Sequence, residues 1–169
     1  MDYEQMIDAA AAYAVEAHTG QRDKQGVPYI LHVARVATAV ADDPAACVVG
    51  WLHDAVEDVS VDPTVREQAL AGLAHEFAPE IAEAVGLLTK PKGGNHADYV
   101  RALVAVEGRA GELARKVKRA DINDNIGRLP MELYDTEEWV ARLVTKYTAA
   151  LDILDRPDSL ARIWTRPKG

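Results

Sequence analysis

Cysteine is almost missing from this chain: Cys47 is the only one in 169 residues. A single thiol makes neither an internal disulfide nor a thiolate metal cluster. Set in the apolar stretch around it, Cys47 reads as a small buried residue. An excess of positive charge is also missing. The formal net charge is −8, which argues against a general nucleic-acid binder and its basic stripe. A small anionic ligand held by a few local cations stays open. No apolar run is long enough to cross a membrane, and the first residues lack the basic-then-apolar order of an export signal. The expected location is the cytoplasm. β-branched runs with strict alternation are scarce, and neither an internal repeat nor a low-complexity segment occurs. The basic, glycine-containing stretch 90–95 lacks the spacing of a phosphate-cradling loop.

What is present is helical periodicity. The composition, 49% hydrophobic and 27% charged, is ordinary for a globular protein, and the length suits one domain with a substantial core. Met6, Ile7, Ala10, Tyr13, Ala14 and Ala17 mark one face of a first helix over 3–18. A polar loop with Arg22, Asp23 and Lys24 follows, read as a solvated connection or as the cationic lip of a pocket. Pro28 suits the first turn of a second helix, and Asp43 is placed to cap a third over 45–56. Further helices are expected over 64–77, 79–88, 96–106, 112–129 and 136–154, with a break at 108–111 and Asp135 or Thr136 capping the last. His75 and His96 read as surface or capping residues. The expectation is an all-α, single-domain helical bundle of about eight helices over 1–156, followed by a proline-rich, basic tail over 157–169.

Into the apolar third helix the sequence puts His53, Asp54, Glu57 and Asp58. Charged groups are rarely buried unless paired or bound to a metal. Helical spacing puts Glu57 over His53 and Asp58 over Asp54, so nitrogen and oxygen ligands would lie one turn from two carboxylates. Such a stretch alone is also compatible with a solvated helix end. The remaining polar interruptions of apolar helices tip the balance. His32 lies on the second helix, and Lys118, Asp121, Asp124 and Asn125 interrupt the seventh. Two imidazoles and two carboxylates, from His32, His53, Asp54 and Asp121, suit a divalent first-row ion with positions open to water or substrate.

The spacing H…HD…D resembles the HD-domain phosphohydrolase superfamily. The flanks narrow the resemblance to the RelA/SpoT-type hydrolase domain, which includes stand-alone small alarmone hydrolases such as the metazoan SpoT homologues. Ala17 to Arg22 and Gly26 to His32 look like its opening. Leu52-His53-Asp54 with Val56-Glu57-Asp58 looks like its central motif. Leu88-Thr89-Lys90 and Lys118-Arg119-Ala120-Asp121 with Asn125 look like later ones. The resemblance runs in order over about residues 1–130.

It implies a mainly helical domain that removes the 3′-pyrophosphate from guanosine tetra- or pentaphosphate with Mn²⁺, or another divalent first-row ion. It further implies His32, His53, Asp54 and Asp121 as metal ligands and Glu57 with Asp58 as the catalytic acidic pair. Arg22, Lys24, Lys118, Asn125 and Tyr99 would contact the nucleotide. The partner implied is thus a small nucleotide, with neither nucleic acid nor membrane; a homo-oligomer is compatible with all of this. Three departures stand out: Val33 replaces a usual proline, Val59 a common threonine, and Arg119 and Asp124 bring charge where the family has less. They leave the preferred nucleotide open, and a phosphatase acting on NADPH or a nucleoside monophosphate is the alternative. A catalytically silent nucleotide sensor is the reading from another class, and the presence of all four ligands and both acidic residues counts against it. No synthetase or regulatory region follows, so the expected activity is degradation alone.

Overall fold

The computed structural model describes residues 1–57, 62–90 and 93–156. The tail expected over 157–169 lies outside them. Eight α-helices follow in order: α1 (Tyr3–Ala17), α2 (Ile30–Ala39), α3 (Pro44–Leu52), α4 (Pro63–Glu76), α5 (Pro79–Leu88), α6 (His96–Val104), α7 (Gly108–Gly127) and α8 (Glu138–Asp155). A 3₁₀ turn, Met131–Leu133, precedes α8. Among the described residues the only β pairing is an isolated bridge between Arg22 and Pro28, which closes the loop between α1 and α2.

The organising element is α3. Its residues Ala45 to Gly50 and Leu52 are all buried, as expected of a helix that is apolar all round. It starts where the sequence indicates: Asp43 accepts from the backbone N–H of Ala46, and Pro44 fills the first turn. Helices α1, α2, α5 and α7 pack around it. Cys47 is buried within it, and burial pushes its thiol pKa up. A smaller core of Val100, Ile122, Ala150, Ile153 and Leu154 joins α6, α7 and α8. No described helix is long and apolar enough to cross a membrane.

Four boundaries differ from expectation, the first being that Pro28 lies before α2, whose N-cap is Tyr29. Helix α3 stops at Leu52, and residues 53–57 form turns. The Ala55 N–H bonds back only three residues, to Leu52 O at 3.0 Å, so the ladder tightens and ends there. The stacking of Glu57 on His53 by helical spacing therefore does not hold. The expected break at 108–111 is instead the first turn of α7: Gly108 takes φ +83° to turn the chain, and Gly111 is there for space. A Cβ on Gly111 would sit 2.4 Å from Val106 O. Helix α8 starts later than expected; its N-cap position is Glu137, which makes no side-chain cap bond.

One glycine positions the site directly. A Cβ on Gly50 would lie 2.7 Å from Ala37 Cα, so α2 and α3 touch backbone to backbone. That contact brings His32 of α2 near His53 at the end of α3: their ring centroids are 5.4 Å apart. Gly50→Ala must push backbone against backbone, and overpacking of this kind costs about 1–3 kcal/mol. The expected outcome is a lowered urea midpoint together with weaker metal retention. Unchanged values of both would show that the close contact is not required.

Candidate metal centre

His32, His53 and Asp121 each offer a ligand atom, and these atoms all lie within 4.8 Å of one another in the buried interior. Three elements converge there: α2, the turn after α3, and the middle of α7. His32 Nε2 is 3.3 Å from Asp121 Oδ1 and 3.9 Å from Asp54 Oδ2, while His53 Nε2 is 3.2 Å from Asp54 Oδ2. Asp54 thus stands beside both imidazoles. Its Oδ2 also accepts a 2.5 Å hydrogen bond from the Tyr29 hydroxyl.

The outer nitrogens of both histidines are engaged. His53 Nδ1 donates to the Gly50 carbonyl at 2.8 Å. His32 Nδ1 donates to Asp124 Oδ2 at 2.6 Å. A carbonyl and a carboxylate only accept, so each Nδ1 carries a proton, and each Nε2 is turned to the carboxylates of the centre. Arg128 Nη2 lies 3.3 Å from His32 Nδ1 as well, but it has a closer acceptor in Asn125 Oδ1 at 2.8 Å. The anionic contact therefore decides the tautomer. His53 Nε2 is buried without a hydrogen-bond partner, the signature of a nitrogen arranged for a cation.

The carboxylates give the site a preference for positive charge, which without an ion is a proton on His53. Burial opposes protonation of His53, yet Asp54 and Asp121 outweigh it and lift its pKa to about 9. Burial likewise opposes ionisation of Asp54, but His53 and the Tyr29 hydroxyl hold its pKa at about 2. Asp121 is held well below the usual carboxylate range: burial is outweighed by Lys118, His32 and His53. A buried carboxylate, Asp121, and a half-buried one, Asp54, that stay ionised beside two imidazoles form a donor set of the hard-plus-borderline type, which fits a divalent first-row ion.

Other residues named from the sequence fall in three places. Lys118 and Asn125 both turn to Asp121: Lys118 Nζ donates to Oδ2 at 2.8 Å and Asn125 Nδ2 to Oδ1 at 2.6 Å. Tyr99 places its hydroxyl 2.9 and 3.0 Å from the carbonyls of Leu87 and Leu88, with Lys118 over its ring. Glu57 lies in the turn after α3, with Oε2 3.4 Å from the Lys90 backbone N–H. Asp58 lies outside the described residues. Arg22 and Lys24 line a cavity of about 860 Å³ together with Tyr29, Asn125, Arg128, Trp139, Lys146 and Tyr147. Tyr29 and Asn125 border both the cavity and the donor set, so the two adjoin.

Four participants escaped the sequence reading. Tyr29 holds Asp54, and Lys146 adds a cation to the cavity wall. Asp124 holds His32, and Arg128 joins Asp23, Asn125 and Asp124. The spacing held one usable signal: Arg128 is four residues after Asp124 on one helix, a pairing distance. His96, expected at the surface or as a cap, is half-buried between the rings of Tyr99 and Tyr147.

No protein-family model matches the chain. Curated proteins do. GTP pyrophosphokinase rsh of Brucella melitensis is 35% identical over 92 residues, 53% of this chain and 11% of that protein. The GTP pyrophosphokinase of Streptomyces coelicolor is 37% identical over 87 residues, 50% of this chain and 9% of that protein. A probable guanosine-3′,5′-bis(diphosphate) 3′-pyrophosphohydrolase of Mycoplasma genitalium is 33% identical over 89 residues, 51% of this chain and 11% of that protein. The chain therefore spans only about a tenth of the length of these relatives. A solved structure of a metazoan ortholog of SpoT, which hydrolyses ppGpp and plays a role in starvation responses, superposes with a TM-score of 0.68 at 23% identity, covering 88% of this chain and 85% of that one. The chain resembles the RelA/SpoT-type hydrolase domain in sequence and shares the fold of that SpoT ortholog.

The surroundings of His96 carry a pH prediction. Burial first, then Lys146, Lys118 and Lys90, hold its pKa down from 6.5 to about 4. The unfolded chain therefore takes up a proton near pH 6.5 while the folded one stays neutral to about pH 4. Stability present above the first value is lost as pH falls towards the second. His96→Asn should flatten that part of the decline, read as urea midpoints at several pH values. An identical slope in wild type and variant would contradict it.

Proposed function

We propose that this chain is a metal-dependent phosphohydrolase that removes the 3′-pyrophosphate from guanosine tetra- or pentaphosphate in the cytoplasm. The observation that carries the reading is the buried convergence of His32, His53 and Asp121 within 4.8 Å, with Asp54 beside them. The sequence relatives and the shared fold supply the substrate class. Mn²⁺ is the proposed ion, held by His32, His53, Asp54 and Asp121. When bound, such an ion supplies Lewis-acid chemistry: it offsets charge on the attacked phosphate and acidifies water.

The chain's own residues do the rest. Tyr29 fixes Asp54, and Lys118 with Asn125 fixes both oxygens of Asp121, so the ligands stay aimed when substrate arrives. Glu57, with Asp58 as second member of the pair, takes the proton from the attacking water. The water oxygen bonds to the phosphorus next to the ribose as the bond from that phosphorus to the 3′-oxygen breaks. Pyrophosphate leaves intact carrying the new oxygen, and the 3′-oxygen takes the proton back from the acidic pair. Arg22, Lys24 and Lys146 on the cavity wall offset the phosphates of the nucleotide within an acidic protein. The Arg22 guanidinium is held ready by its 2.6 Å bond to the Gly26 carbonyl, and its plane suits stacking on a base.

Incubation with guanosine tetraphosphate and Mn²⁺ should release intact pyrophosphate. Release of orthophosphate instead would favour a phosphatase acting on NADPH or a nucleoside monophosphate. Glu57→Gln should retain the metal and lose about 10²–10⁴ in rate, the usual worth of a positioned base. Asp54→Ala should lose both metal and turnover. Full activity of Glu57→Gln would remove Glu57 from the mechanism.

A further inference from the structure

We propose that Asp124 is the positioning residue for His32, held in place by Arg35 and Arg128, and that it sets the metal affinity of the centre. This rests on the metal-centre reading above. Asp124 is one of the charged departures from the family pattern, so the resemblance gives it no role.

The contacts from His32 and Arg35 are directional hydrogen bonds, and that from Arg128 is an ion pair without hydrogen-bond alignment. Asp124 Oδ2 accepts from His32 Nδ1 at 2.6 Å. Arg35 clasps the carboxylate with Nε at 2.5 Å from Oδ1 and Nη2 at 3.2 Å from Oδ2. Arg128 Nε lies 2.9 Å from Oδ2. The carboxylate is only 12% exposed, and its partner imidazole 2%. Arg35 and Arg128 pair with the carboxylate directly, and its contact with His32 acts on the ring. With Nδ1 bound outward, the ring can present only Nε2 to Asp121 and Asp54.

Comparison of the two histidines shows what the device replaces. The His53 ring is fixed by a main-chain carbonyl, Gly50 O, which no substitution removes. The His32 ring is fixed by a side chain. A histidine ligand whose outer nitrogen binds a carboxylate is both oriented and made more basic, and loss of such partners typically costs about 10–100-fold in metal affinity or activity. Arg128 extends the arrangement further. Its Nη1 donates to Asp23 Oδ2 at 2.8 Å in the loop that carries Arg22 and Lys24, so the same guanidinium ties the cavity lip to the buried carboxylate.

The test compares wild type, Asp124→Ala and Asp124→Asn, each checked for helix content by circular dichroism. Mn²⁺ dissociation constants are measured by electron paramagnetic resonance of the free ion. Ring ¹⁵N correlation spectra of the Zn²⁺-loaded proteins report which nitrogen of His32 carries the proton. Asp124→Ala should weaken Mn²⁺ binding about 10–100-fold with helix content kept. Asp124→Asn, which restores an acceptor, should recover part of that loss. Wild-type His32 should carry its proton on Nδ1. Equal Mn²⁺ affinity in wild type and Asp124→Ala would overturn the role of Asp124 and leave the metal centre standing. A proton on Nε2 of His32 in the Zn²⁺-loaded wild type would overturn that role and also remove His32 Nε2 from the ligand set. Failure of wild type itself to bind Mn²⁺ or Zn²⁺ would instead overturn the metal reading and the inference with it.

Discussion

Two ionised carboxylates, Asp121 buried and Asp54 half-buried, stand against two imidazoles in the middle of a helical bundle, and the rest of the structure answers that constraint. Leaving a buried charge without a partner costs about 3–5 kcal/mol. The chain meets the cost with neighbours on every side: Lys118 and Asn125 on Asp121, Tyr29 on Asp54, and Asp124 with two arginines behind His32. Such an assembly is poor as a stabiliser, since apolar residues of the same volume do as well or better. Its retention makes sense for a group that recruits a cation.

The scaffold is arranged so that this cluster can exist at all. Helix α3 is buried on every side, and its backbone approaches α2 through Gly50. The ring contacts His18–Tyr29, Tyr29–His32 and His32–His53 run through the interior at centroid separations of 5.2, 5.3 and 5.4 Å. The polar cluster is therefore walled by aromatic and aliphatic groups on one side and opens towards the cation-lined cavity on the other. A ligand with several negative charges would meet Arg22, Lys24 and Lys146 before it reached the buried donors.

Much of this was legible from residue order, and the failures have physical causes. Apolar periodicity located all eight helices, and the polar interruptions on α2, the α3 end and α7 pointed to one site. The end of α3 was hidden because Ala55 and Val56 are buried like the helix before them, so the apolar pattern continues after the hydrogen-bond ladder has stopped. Gly108 and Gly111 looked like a break because glycine weakens helices; only the approach of the Val106 carbonyl explains Gly111 inside one. Asp124 was read only as a polar interruption of α7 without a role, because its partners Arg35 and His32 lie 89 and 92 residues away, beyond any local pattern. Lys118 and Asn125 were expected at the nucleotide; their bonds to Asp121 were not foreseen, though a ligand carboxylate buried at that depth needs donors of its own.

The most direct measurement is anomalous X-ray diffraction from crystals of the protein soaked in Mn²⁺. The account predicts one strong peak within coordination distance of His32 Nε2, His53 Nε2, Asp54 and Asp121. A map with no peak there, or with manganese only at surface carboxylates, would contradict it.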